Sequence, residues 1–175
     1  RGGITKLIAT SPDEGKPIQD IYNYYSSNGN YILANVNVTD KANALYLYDG
    51  TDWLDPLLES YSKGRMSFLT HKGFCYCFNG IDVNKKITVV DGEPVIYNVG
   101  ISPPTNDPIP TVEEAGVLSG IYYYVYVYLS SEFNIRSNPS NISDIANASN
   151  NKINVSITAT TDPQVDKIEI YRTFA

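Results

Sequence analysis

Polar and apolar positions alternate with a period of two along most of this chain, the pattern of strands that turn one face to a core and the other to solvent. Runs of this kind cover Ile4 to Thr10, Ile18 to Tyr25, Tyr31 to Val38, Ala44 to Tyr48, Met66 to Thr70, Phe74 to Phe78, Lys86 to Val90 and Pro94 to Val99. Between them fall Asn28-Gly29, Asp49-Gly50, Asn79-Gly80 and Asp91-Gly92, dipeptides that accept the positive φ of tight hairpin turns. The spacing predicts an antiparallel meander. Leu54 to Tyr61 is the exception, and with Pro56 near its start it predicts a short helical turn.

The strand-turn unit Ala44 to Trp53 is echoed at Phe74 to Gly80. Self-similar units of this sort point to propeller blades, with a plain β-meander as the simpler reading. From Gly100 to Pro110 four prolines interrupt any regular ladder, so residues 100–117 are expected to be a linker. Beyond it, Gly120 to Leu129 reads as one long strand apolar on both faces. Ile142 to Ala146, Ile153 to Ala159 and Val165 to Thr173 supply three more, with Asn150-Asn151 and Thr161-Asp162-Pro163 as turns. The expected fold is all-β: a blade-like meander over 1–99, then an incomplete sandwich of the immunoglobulin or fibronectin type III sort over 118–175. The last strand candidate reaches Thr173 and the chain stops at Ala175, so its antiparallel partner is expected from sequence outside this chain.

Composition narrows the function classes. Fifteen tyrosines and few charged residues suit pleated, half-buried surfaces. Thirteen basic against nineteen acidic residues give a net charge of −6, which opposes the phosphate neutralisation that nucleic-acid binding needs. No apolar run approaches the roughly 20 residues of a membrane-spanning helix. The chain is read as soluble.

Candidate chemistry is sparse. Cys75 and Cys77 share one strand face and read as reduced core thiols, and no metal or cofactor is implied. His71, the single imidazole, reads as a turn residue between strands rather than a catalytic base. Asp49, Asp52 and Asp55 cluster around Trp53, while Asp107, Glu113 and Glu114 flank the linker; turn and surface roles are preferred for them over calcium binding or glycoside hydrolysis. No residue is assigned as catalytic. Tyr122, Tyr124, Tyr126 and Tyr128 line one face of the long strand candidate, opposite Tyr123, Val125, Val127 and Leu129. A subunit interface is preferred for that tyrosine face, over a core edge or a sugar-stacking platform.

Tyr48-Asp49-Gly50 with Trp53, Asn79-Gly80-Ile81-Asp82, Asp91-Gly92 and Val99-Gly100-Ile101-Ser102-Pro103-Pro104 occur in an order that resembles tailed-bacteriophage virion proteins. Leu118 to Tyr128, Arg136-Ser137-Asn138-Pro139-Ser140 and Val165 to Thr173 extend the resemblance. It implies propeller-like and fibronectin type III-like modules in a tail, nozzle or head-to-tail connector subunit. Its partners would be other virion proteins in a homo-oligomeric ring. The chain departs from that pattern in having too few blades to close a propeller and no final sandwich strand. A secreted or cell-surface adhesin, binding glycans through Tyr residues and Trp53, is the alternative.

Overall fold

In a computed structural model the structure describes residues 10–173. The strand expected over Ile4 to Thr10 lies outside them except for Thr10. The chain divides into two compact units, Arg1–Val99 and Gly100–Ala175, and the described residues form strands, turns and loops without a helix.

The first unit holds two four-stranded antiparallel sheets, each in chain order. One contains β1 (Ile18–Ser26), β2 (Gly29–Asn37), β3 (Ala42–Tyr48) and β4 (Leu58–Ser62). The other contains β5 (Ser67–His71), β6 (Phe74–Phe78), β7 (Lys85–Val90) and β8 (Glu93–Asn98). Two-residue turns set the registers of β5 with β6 and of β7 with β8. Lys72 and Gly73 take φ of 48° and 79°, and Asp91 and Gly92 take 52° and 87°, the paired left-handed conformations whose twist matches the flanking strands.

β4 replaces the helical turn expected over Leu54 to Tyr61. The free edge of β3 has unpaired main-chain groups, and a strand satisfies them through Ala42 with Ser62, Asn43 with Tyr61 and Leu45 with Leu58. Ser60, at a φ of 57°, lies within this strand, and the register shifts between Asn43 and Leu45.

The sheets pack face to face. Tyr24, Leu33, Leu45 and Leu47 of the first sheet meet Cys75, Cys77, Ile87 and Val89 of the second, all essentially buried. Burial of each aliphatic side chain of this kind contributes about 1.5–3 kcal/mol before chain entropy is subtracted. The Tyr22 ring stacks on Phe68 with centroids 5.2 Å apart, and Thr70 N donates to Tyr22 Oη at 3.0 Å, so the first strands of the two sheets lie side by side. Cys75 and Cys77 are reduced core thiols, and the Cys77 thiol is pushed far up by its Cys75 contact and by burial.

A polar seam completes that interface at one end. Asp20 Oδ2 accepts from Asn35 Nδ2 and from Met66 N, both at 2.9 Å. Gly64 O accepts from Asn35 Nδ2 at 3.0 Å and Asn43 Nδ2 at 2.9 Å. The passage from β4 to β5 is thereby pinned to the inner face of β1–β3.

The second unit is built on β9 (Ile109–Tyr122), β10 (Tyr124–Ser130), β11 (Ile135–Arg136), β12 (Ala146–Ser156) and β13 (Lys167–Arg172). β9 pairs with β12, and β10 lies between β11 and β13. Several expectations are corrected here. Residues 100–117 are not a tether: Ile101 packs with Tyr126 and Tyr128, and Gly100 O accepts from Gln164 Nε2 at 3.2 Å. From Ile109 onward the stretch is strand, with Pro110 opposite Val155.

The long strand expected over Gly120 to Leu129 is divided at Tyr123, and its halves join different sheets. Asn150-Asn151 is a bulge inside β12 rather than a turn. Opposite it, Glu114 to Val117 bulge from β9 between Glu113, paired with Lys152, and Leu118, paired with Asn151. Gly116 lies so close to Asn151 that a Cβ would overlap the Asn151 carbonyl group and Lys152 N. Only glycine lets the backbones approach this closely.

Candidate functional site

The tyrosine ladder is internal. Tyr122, Tyr124, Tyr126 and Tyr128 are exposed by only 5, 6, 0 and 5%, so their rings do not form an exposed interface. Tyr122 and Tyr124 pack with Ala146 and Ala148, whereas Tyr126 and Tyr128 pack with Ile135, Ile157, Val165 and Ile168. A buried phenol needs a partner for its hydroxyl. Tyr122 Oη donates to Ser119 O at 3.1 Å, Tyr126 Oη to Asn106 O at 3.0 Å and Tyr128 Oη to Thr158 O at 2.8 Å. Burial, and next the charge of Tyr126, raises the Tyr128 pKa.

The backbone of this ladder explains why that face is committed. Tyr124 N, Tyr126 N and Tyr128 N donate to Ser143 Oγ, Ser140 Oγ and Ser137 Oγ at 3.0–3.1 Å. In return Ser143 N, Ser140 N and Ser137 N donate to the carbonyls of the same tyrosines at 2.9 Å. Each serine hydroxyl also donates at 2.7 Å to the carbonyl of its next residue. Three residues of the serine segment thus face two of β10, about 2.2 Å of rise per residue against roughly 3.3 Å in a strand. The expected strand over Ile142 to Ala146 is absent up to Ala146 for this reason. A Ser-x-x-Ser-x-x-Ser spacing was the available sequence signal, and a search for periods of two passes over it.

On the other side of β10 the outcome differs. Thr173 N donates to Tyr123 O at 3.1 Å, and Tyr123, Val125, Val127 and Leu129 stand opposite Thr173, Tyr171, Glu169 and Lys167. Main-chain groups alternate sides along a strand, so the odd-numbered residues of β13 bond β10 while Ile168, Ile170 and Arg172 direct theirs outward. No strand among the described residues pairs with that outer edge. Ile170 and Tyr171 are 46 and 48% exposed. A mostly apolar cavity of about 220 Å³ adjoins Tyr171, lined also by Tyr123, Tyr124, Val125, Ile142, Arg172 and Thr173. The Arg172 guanidinium lies 5.0 Å from the Tyr122 ring centroid.

A second surface lies on the outer face of the β1–β4 sheet. Asn23, Tyr25, Asn30, Ile32 and Tyr48 line a cavity of about 290 Å³ there, with Tyr25 58% exposed. Trp53 packs on Tyr48 with ring centroids 5.4 Å apart, and its Nε1 donates to Thr10 O at 3.3 Å.

Two of the acidic candidates, Asp49 and Glu113, are spent on local structure. Asp49 Oδ1 accepts from Thr51 N at 2.7 Å and Asp52 N at 2.9 Å, and the Asp52 and Thr51 amides hold its pKa low. Glu113 pairs with Lys152 at 3.0 Å and accepts from Asn154 Nδ2. Among the described residues no three His, Cys, Asp or Glu side chains converge on a common point. His71 is the exposed last residue of β5, next to the Lys72-Gly73 turn.

The comparisons add no relative: no protein-family model, curated protein or solved structure matches the chain.

Proposed function

We propose that this chain is a structural component of a bacteriophage virion, a tail, nozzle or head-to-tail connector subunit that assembles with copies of itself and with other virion proteins. The observation that carries the reading is the outer edge of β13, where Ile168, Ile170 and Arg172 direct main-chain groups that no strand among the described residues pairs, with Ile170 and Tyr171 half-exposed. An open, unbulged edge is a template for a strand from a neighbouring subunit.

The architecture supports the same reading. Four-stranded sheets in chain order, stacked face to face with β1 beside β5, are what consecutive propeller blades would require, which supports the blade reading. In the second unit, the pairing of β9 with β12 and of β10 with β13 is similar to the B–E and C–F pairing expected of an immunoglobulin-like sandwich, which supports that reading. The departure is at Tyr123, where a single residue joins β9 to β10 in place of a turn between sheets. The net charge of −6 favours protein partners over nucleic acid.

Light scattering on the chain at several concentrations tests the proposal. A discrete oligomer is expected, and Ile170→Pro should reduce it to monomer while leaving the circular dichroism intact, because that substitution removes an outward N–H and spares the bonds to β10. A concentration-independent monomer sinks the assembly reading. The cavity around Tyr25 and Tyr48, with Asn23 and Asn30 amides at its rim, favours glycan binding as the second reading. Sugar-induced shifts of Tyr25 and Tyr48 ring resonances in that monomer would move it to first place.

A further inference from the structure

Asn37 and Asn43 stand opposite each other in register across β2 and β3. Their side chains share the inner sheet face with Leu33, Asn35, Leu45 and Leu47, since alternate strand residues point the same way. Asn43 is 1% exposed. Its Nδ2 sits among three acceptors, Gly64 O at 2.9 Å, Asn35 Oδ1 at 3.0 Å and Gln19 Oε1 at 3.2 Å. Gly64 O and Asn35 Oδ1, the latter held by the Asn35 Nδ2 bonds to Asp20 and Gly64, fix the amide orientation, because turning it over would set an acceptor oxygen against both. Asn43 Oδ1 therefore points away from them. It is buried and accepts no hydrogen bond from any described residue, and the same holds for Asn37 Oδ1.

Two buried acceptors in facing positions need two donor hydrogens. Cβ atoms of directly opposed residues lie about 4.5–5.5 Å apart, so one small molecule can span the two amides. Water carries both hydrogens on a single oxygen, and buried waters occupy such sites between otherwise unsatisfied polar groups. A hard cation such as calcium needs about six to eight oxygens, while Asn35 Oδ1, Gln19 Oε1, Gly64 O and Asp20 Oδ2 already accept from protein donors.

We infer that one internal water is bound between Asn37 Oδ1 and Asn43 Oδ1, donating a hydrogen bond to each. It is a structural ligand of the seam that holds the β4–β5 passage on the first sheet, and it stands independently of the virion reading.

A high-resolution crystal structure of the chain tests this. The expected result is a solvent peak about 2.7–3.0 Å from both oxygens, the ordinary O–H···O range. A peak about 2.3–2.6 Å away with six or more oxygen neighbours is a bound cation and overturns the proposal. So does a site without density in which the two amides bond each other. Water-to-protein cross-peaks in solution provide a second readout. They should show a long-lived water beside Asn37 and Asn43, and Asn37→Leu should abolish them. Cross-peaks unchanged in a folded Asn37→Leu variant would refute the shared ligand.

Discussion

Glu169 shows how much of a single side chain's behaviour was readable in advance. Its place on a strand followed from Ile168 and Ile170, but its partners did not. Arg136 Nε donates to Glu169 Oε2 at 2.8 Å and Arg136 Nη2 to Oε1 at 3.0 Å, while Tyr171 Oη donates to Oε2 at 2.7 Å. Arg136 first, and Tyr171 next, lower its pKa from 4.5 to about 2. A carboxyl whose pKa is depressed on folding stabilises the native state above its unfolded value, and that contribution is lost as the pH falls through the folded value. The urea midpoint should therefore fall between about pH 4.5 and 2, and Glu169→Gln should flatten the fall in that window. Equal slopes in the two proteins would show that this pair does not contribute to acid sensitivity. The pair links residues 33 positions apart, a separation at which charge patterning along the sequence carries no information.

Elements were legible where one rule sufficed. β1 to β3 and β5 to β8 lie within a residue or two of the alternating runs, because each run carries a clear period of two and ends near Gly, Asn or Asp. Legibility failed where pairing overrode local pattern. Leu57-Leu58 behind Pro56 looks helical in isolation, yet the open edge of β3 draws it into β4. The serine segment fails differently, since its three-residue spacing has meaning only beside the two-residue steps of β10. This device makes a sharp prediction. Ser140→Ala removes a buried acceptor from Tyr126 N and should cost about 1–3 kcal/mol in urea unfolding. Asn141→Ala, at the neighbouring exposed position, should stay within about 0.5 kcal/mol. Equal costs would mean that the hydroxyl is not what holds the segment.

At the scale of the whole chain, the first unit is one body because a few polar atoms position a large apolar interface. Asp20 reaches across from β1 to the amide of Met66, just before β5 begins. Asp20→Ala leaves Met66 N and Asn35 Nδ2 each without that acceptor. It should cost about 1–3 kcal/mol, with amide exchange rising first in β5 to β8 if the second sheet opens as a unit. Uniform acceleration across both sheets would show that the sheets open together and that the seam does not gate the second one.

By itself the sequence determined that the chain is all-β, that most strands of the first unit lie between Gly-, Asn- and Asp-bearing turns, and that Cys75 and Cys77 share a strand face. These are consequences of local sterics and of the strand's period of two, both contained in neighbouring residues. The tertiary structure alone decided that Tyr122, Tyr124, Tyr126 and Tyr128 are all buried, while on the opposite side Tyr123 and Val125 stay half-buried and only Val127 and Leu129 are buried. Both faces of that strand are apolar, so alternation cannot rank them, and Ile101, Asn106 and Thr158 settle the matter from distant positions. It likewise decided which edge of β10 is closed by serines and that, among the described residues, no strand pairs with the outer edge of β13. Main-chain hydrogen bonding across a sheet depends on what lies alongside, and a sequence lists its residues only end to end.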